Sequence, residues 1–220
     1  MKYEIKYKPA FSAIFVTLEP GEKIIAEAGA MASMDSHVTI KTELSGDFLS
    51  ALAKKFFGGE SLFVNIFSNE TKQYVNLVLT QSVVGDIAEI ELHGKDMYFQ
   101  PGAYIASTPG VKMGVRWAGF SSWFAGEGLF KLRLSGKGKV FFGAYGGITK
   151  KAINGEFIVD SGHLVAYEPG IEMGIKLANG LVGSFTSGEG FVNRLSGRSN
   201  IYLESRSIGA LFGYLRSKVR

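Results

Sequence analysis

The sequence predicts an all-β protein of three tandem units with one or two short helices. Three observations predict it. Glycine fills 29 positions against 5 for proline, beside 17 Phe and 9 Tyr, a balance that favours short strands and tight turns over long helices. Apolar side chains recur with period two along most of the chain. One turn-and-strand pattern is written more than once.

Pro101-Gly-Ala-Tyr-Ile-Ala-Ser-Thr-Pro-Gly-Val-Lys-Met-Gly-Val115 aligns without a gap on Ser161-Gly-His-Leu-Val-Ala-Tyr-Glu-Pro-Gly-Ile-Glu-Met-Gly-Ile175, with 6 of 15 positions identical and 3 more exchanging only Ile and Val. Downstream, Ala125-Gly-Glu-Gly-Leu-Phe is echoed by Ser187-Gly-Glu-Gly-Phe-Val, and Leu134-Ser-Gly-Lys by Leu195-Ser-Gly-Arg, the offset falling from 62 to 61. A fainter copy precedes both, in Ala28-Gly-Ala-Met-Ala-Ser and Gly59-Glu-Ser-Leu-Phe. The units run over about 1–91, 92–151 and 152–220 of one compact body.

The elements follow in order. Met1 to Pro9 alternates polar with apolar residues and carries an acid and a proline where a signal peptide needs an apolar run, so it reads as a first strand. Period two marks strands at Phe11–Leu18, Leu62–Phe67, Tyr74–Leu79, Ile87–Leu92, Leu129–Leu134, Phe157–Val159 and Ile201–Leu203. Turn chemistry separates them: Pro109-Gly110, Pro169-Gly170, Ser135-Gly136-Lys137-Gly138, Asn154-Gly155 and Asn179-Gly180. Phe48, Leu49, Leu52 and Phe56 have helical spacing between a Ser45 cap and a Gly58-Gly59 stop, which predicts one short helix. Ile208, Leu211, Phe212, Leu215 and Val219 predict a second at the C-terminus, weakened by Gly209 and Gly213. That face is expected to dock on the β body or a neighbouring subunit, with peripheral membrane contact as the other reading.

Composition excludes several functions. With no cysteine, thiolate metal sites, iron-sulfur clusters and cysteine nucleophiles fall away together. The longest uncharged run, Met97 to Val111, is 15 residues with two prolines, short of the roughly 20 that a spanning helix needs. The expected location is the cytoplasm. The net charge of +4 is concentrated in residues 201–220, which hold four Lys/Arg and one Glu and leave 20 Lys/Arg against 19 Asp/Glu elsewhere. A near-neutral body argues against a long phosphate-binding face.

Gly-Ala-Met in the first copy, Gly-Gly-Glu-Ser-Leu-Phe at 58–63, Pro-Gly-Ala-Tyr-Ile-Ala in the second and Ser-Gly-Glu-Gly-Phe in the third resemble the family of the "altered inheritance of mitochondria" protein and its prokaryotic relatives. The resemblance covers about residues 10–215 and rests on glycine and turn positions. It implies three β units like the tryptophan-binding RNA attenuator protein, packed as one β-sandwich-like body. It brings no catalytic residues. Without a presequence, the chain is expected on the prokaryotic side of that family.

Glu60, Glu127 and Glu189 each hold the Gly-Glu position of a unit; facing one axis, three carboxylates would suit a hard cation or titrate as a coupled set. In the blander reading each accepts backbone N–H bonds in its own turn. Lys131, Arg133, Lys137 and Lys139, matched by Arg194 and Arg198, read as basic turn tips beside Trp117, Phe120, Trp123 and Phe124, a pattern that a single-strand groove would use. His37, His93 and His163 lack metal-ligand spacing. The Gly-rich segments do not follow a strand-turn-helix phosphate pattern, and no Gly-x-Ser-x-Gly elbow is present. No catalytic residue, cofactor or metal ligand is assigned. The expected function is a non-enzymatic, self-associating binding or scaffold protein, with an RNA or single-strand binding module as alternative and a metal-dependent enzyme third.

Overall fold

Alternating burial makes the strands. In β7 (Val75–Leu79), Val75, Leu77 and Leu79 are buried while Asn76 is exposed, and β2 (Ala13–Leu18) buries Ile14, Val16 and Leu18 in the same way. A computed structural model describes residues 1–44, 63–117, 130–177 and 191–219. Before β2 comes β1 (Lys2–Lys6), and then β3 (Lys23–Glu27), β4 (Met31–Met34), β5 (Val38–Leu44) and β6 (Phe63–Asn69) lead to β7. The chain continues through β8 (Ile87–His93), β9 (Met97–Phe99), β10 (Tyr104–Ser107), β11 (Val111–Trp117) and β12 (Phe130–Gly143). Last come β13 (Ile148–Asp160), a 3-10 turn at Ser161–His163, β14 (Leu164–Tyr167), β15 (Ile171–Leu177), β16 (Phe191–Glu204) and helix α1 (Ile208–Lys218). The all-β expectation and the C-terminal helix are both observed. The helix expected near residues 48–56 lies outside the described residues.

One sheet runs β1-β2-β7-β4, and a larger one runs β13-β16-β14-β9-β12-β10-β3-β6-β5 with β8 and β11 joined to β12 and β15 joined to β16. Two long strands organise the larger sheet. The first half of β12 lies between β11 and β9 and its second half between β8 and β10. Similarly β16 pairs along its length with β13, and with β15 and then β14 on its other edge. Around β6 and β7 the scheme is split: β3 and β5 flank β6, while β2 and β4 flank β7. Register shifts fall at Met31/Ser33, Tyr104/Ala106 and Leu164/Ala166 in β4, β10 and β14. The two segments that align in sequence differ locally: Gly102 turns at φ 80°, whereas Gly162 lies in the 3-10 turn.

Two of the expected turns, and the segment that echoes one of them, lie inside strands. Ser135 to Gly138 lies inside β12, Asn154-Gly155 inside β13 and Leu195 to Arg198 inside β16. The glycines there serve a different need. A Cβ on Gly136 would lie 2.3 Å from Gly110 O, and one on Gly197 would lie 2.0 Å from Gly170 O, so each strand kinks past the Pro-Gly turn of its neighbour and goes on pairing. The Pro109-Gly110 and Pro169-Gly170 turns are where they were expected.

Burial is divided among three clusters. One gathers Ile14, Leu77 and Phe67 with Ile105 and Phe141; the second Phe99, Leu134 and Phe142 with Val165 and Tyr202; the third Leu195, Ile201 and Tyr167 with Tyr98. Each borrows side chains from a neighbouring stretch of chain. Phe142 meets Phe99 at 5.4 Å and Tyr202 at 5.3 Å between ring centroids, and each such burial contributes about 1.5–3 kcal/mol.

Candidate functional site

Glu60, Glu127 and Glu189 lie outside the described residues. The six basic candidates are described, and none stands at a hairpin tip: Lys131, Arg133, Lys137 and Lys139 lie along β12 and Arg194 and Arg198 along β16. The reason is the kinked glycines, which carry the strand through the segment that resembled a turn. Nor do the cations converge. Arg133 and Lys139 are separated by about 20 Å of strand. Arg133 Nε and Nη2 fork onto Asp96 at 2.8 and 3.1 Å. Lys139 Nζ donates to the Tyr3 hydroxyl at 2.7 Å and lies 3.6 Å from Glu89 Oε1; the bond to Tyr3 holds its pKa above the ordinary lysine value. Arg194 pairs with Glu156. Lys137 and Arg198 are exposed, opposite His93 and Asn154. Lys131 is a further correction: it is 1% exposed, on the half of β12 enclosed by β9 and β11. Spread along β12 and β16, with Arg133, Lys139 and Arg194 each on an acceptor of its own, these cations are not gathered at one tip. Of its aromatic wall, Phe120, Trp123 and Phe124 lie outside the described residues.

His37 and His93 are exposed, and His163 Nδ1 lies 2.8 Å from Glu204 O. Among the described residues no three His, Asp or Glu side chains gather as metal ligands.

A polar cluster that the sequence did not reveal sits where β2, β8 and β13 begin. Parallel bridges join Phe11 to Gly85 and Gly85 to Gly146. Ser12 N–H donates to Gly85 O at 3.1 Å, Asp86 N–H to Gly146 O at 2.7 Å and Gly146 N–H to Val84 O at 3.0 Å. Gly85 admits no side chain, since a Cβ would lie 1.9 Å from Ala144 O. Asp86 is buried beside it. Its Oδ1 accepts from Ser12 Oγ at 3.1 Å and from Ile87 N–H at 2.8 Å, and Lys8 Nζ lies 3.0 Å away. Lys8 Nζ also donates to Ile87 O at 2.6 Å, and Gln81 Nε2 donates to Ala144 O at 3.1 Å. Three donors on one carboxylate oxygen make Asp86 a latch between segments distant in sequence. No local motif signals it, since Gly85 and Gly146 lie 61 residues apart.

The same end holds the exit of the sheet. Tyr145 N–H donates to Glu204 Oε2 at 2.6 Å, and Gly147 N–H to Ser205 Oγ at 2.9 Å. Burial pushes the Glu204 carboxyl above its ordinary 4.5, against the opposing pull of the Tyr145 N–H and His163. Around this rim Tyr7 is 65% and Phe11 71% exposed, and Val84 is exposed too. Tyr7 has φ 62°, a left-handed backbone that costs a bulky residue about 1–2 kcal/mol.

A family profile described as mitochondrial biogenesis AIM24 matches residues 3–206. The chain belongs to the AIM24 family. An uncharacterized protein of Streptococcus pyogenes serotype M6 is 26% identical over 225 residues, covering 98% of this chain and 90% of its own. A crystal structure of a protein from Streptococcus pyogenes is similar at a TM-score of 0.79 and 26% identity over 99% of each chain. Both relatives are bacterial, in line with the prokaryotic side of the AIM24 family. The family match ends two residues before α1 begins. The Asp86 latch thus belongs to the AIM24 body, and α1 lies beyond the matched stretch.

Proposed function

We propose that this AIM24-family protein is a non-enzymatic, self-associating binding or scaffold body of three tandem units. The carrying observation is a set of four seven-residue strands, β5, β8, β11 and β15, each of which pairs on one edge alone among the described residues. The three register shifts in β4, β10 and β14 support the tandem reading, as do the flanking schemes of β12 and β16. Sheet edges need covering, and similar edges on one chain favour closed homo-oligomers. The edge strands carry Lys41 and Glu43 on β5, Lys112 and Arg116 on β11, and Glu172 and Lys176 on β15. Pairing β11 with itself in register would set Lys112 against Arg116, whereas pairing it with β5 would set Lys112 against Glu43.

Sedimentation velocity of the full chain tests this. A discrete homo-oligomer is expected, and Ile40→Lys, which adds a charge to an exposed position of β5, should shift it toward smaller species. A wild-type protein that stays monomeric over a wide concentration range would overturn the reading.

A further inference from the structure

We propose that the end of the body where β2, β8 and β13 begin docks on an anionic lipid surface, with α1 lying in the interface as its anchor. The inference is independent of self-association.

Helix α1 buries none of its residues. At 3.6 residues per turn, Ile208, Leu211, Phe212, Leu215 and Val219 fall in one stripe about 100° wide, and Phe212 at its edge is 66% exposed. Arg216 borders the stripe on one side and Lys218 on the other, so their stems can run along a buried apolar face while the charges stay at headgroup level. The remaining face carries Gly209, Ala210, Gly213 and Ser217 together with Tyr214, over whose ring Lys218 Nζ lies at 5.7 Å. After Glu204 the chain carries Arg206, Arg216, Lys218 and Arg220 and no acid.

The body completes the surface. Phe11 is one strand spacing from Gly85, and Gly85 is one from Gly146. Arg206, at the root of α1, packs against Gly146, where a Cβ would lie 3.1 Å from Arg206 Cγ. Exposed Phe11, Tyr7 and Val84 therefore lie within about 10–15 Å of the helix root. Two apolar features with no acid in the helix between its cations face solvent at one end.

Charge selects the occupant. A second copy seated on α1 would bring two sets of uncompensated cations together, whereas an anionic bilayer neutralises them and covers the stripe. An eleven-residue helix is marginal in water without such a cover.

The test is co-sedimentation of the full chain with phosphatidylcholine vesicles, with and without phosphatidylglycerol. Binding is expected only with phosphatidylglycerol, and it should weaken as salt rises. Phe212→Ser with Leu215→Ser should abolish it. Arg216→Ala and Lys218→Ala should each weaken it about fivefold, and Phe11→Ser should weaken it without loss of fold by circular dichroism. Equal binding to both vesicle types, absence of binding, or binding indifferent to the Phe212/Leu215 pair would each overturn the proposal. So would a result in which that pair changes only the subunit number.

Discussion

At the junction, Gly85 is packed so closely that a Cβ would lie 1.9 Å from Ala144 O, while α1, rooted at the same end, leaves every residue of its apolar stripe in solvent. The Asp86 latch joins stretches of chain more than 70 residues apart, as in the Ser12 to Asp86 bond. The helix is held by little more than the Ser207 cap, whose Oγ accepts from Ala210 N–H at 3.3 Å. The contrast teaches that one end of the molecule contains both a region whose chemistry is spent on internal cohesion and a region whose apolar surface contributes nothing to it. Substitutions should separate the two.

Gly85→Val should give the largest effect. Backbone atoms surround the position, with Gly146 N and O at 2.7 and 2.8 Å from a Cβ in addition to Ala144 O, so no side-chain rotation relieves the clash. A loss of about 3 kcal/mol or more is expected in urea melts. A variant as stable as the wild type would show that β8 and β13 are not held together here.

Asp86→Ala should follow. It leaves the Ser12 hydroxyl, the Ile87 N–H and Lys8 Nζ without their shared acceptor, which costs about 2–3 kcal/mol. Asp86→Asn keeps an acceptor oxygen and should lose less. If the two substitutions cost the same, the latch works by shape rather than by hydrogen bonding.

The contrast also explains what could be read from the sequence. Period-two segments such as Tyr74–Leu79 gave their strands because one face is buried and the other wet. The C-terminal helix was legible from Ile208, Leu211, Phe212 and Leu215. Turn glycines misled, because Gly136 and Gly197 permit a positive φ whether the chain reverses or merely kinks. The junction was illegible for another reason: Lys8, Ser12, Asp86 and Gly146 are brought together only by sheet pairing, and no local spacing records that. Docking of α1 was expected on the β body or a neighbouring subunit, and the β body buries none of its residues, since periodicity identifies an apolar face and not what covers it.

A smaller, pH-dependent effect is expected at Glu204, between the two regions. Burial raises its folded pKa above 4.5, so folding favours the neutral carboxyl. That stabilisation is complete below the ordinary value and is lost as pH rises through the raised one. Glu204→Gln stays neutral and retains an acceptor for Tyr145 N–H. Melting temperatures of variant and wild type should coincide below about pH 4 and diverge above it, with the variant higher near neutrality. Equal values across that range would mean that solvent reaches the carboxylate freely.

The smallest effect on stability should come from removing α1 altogether. Deleting residues 208–220 keeps Ser205, whose Oγ accepts from Gly147 N–H, and Arg206, which packs on Gly146. It removes no buried side chain of α1. Surface changes of this kind usually stay within about 0.5 kcal/mol, so thermal melts of the truncated and full chains should nearly superimpose. A marked drop in melting temperature would instead place α1 within the cohesive body and erase the distinction from the junction. Superimposed melts together with lost vesicle binding would sharpen it, because a segment that contributes nothing to the fold and yet is needed for docking has its apolar face for the partner.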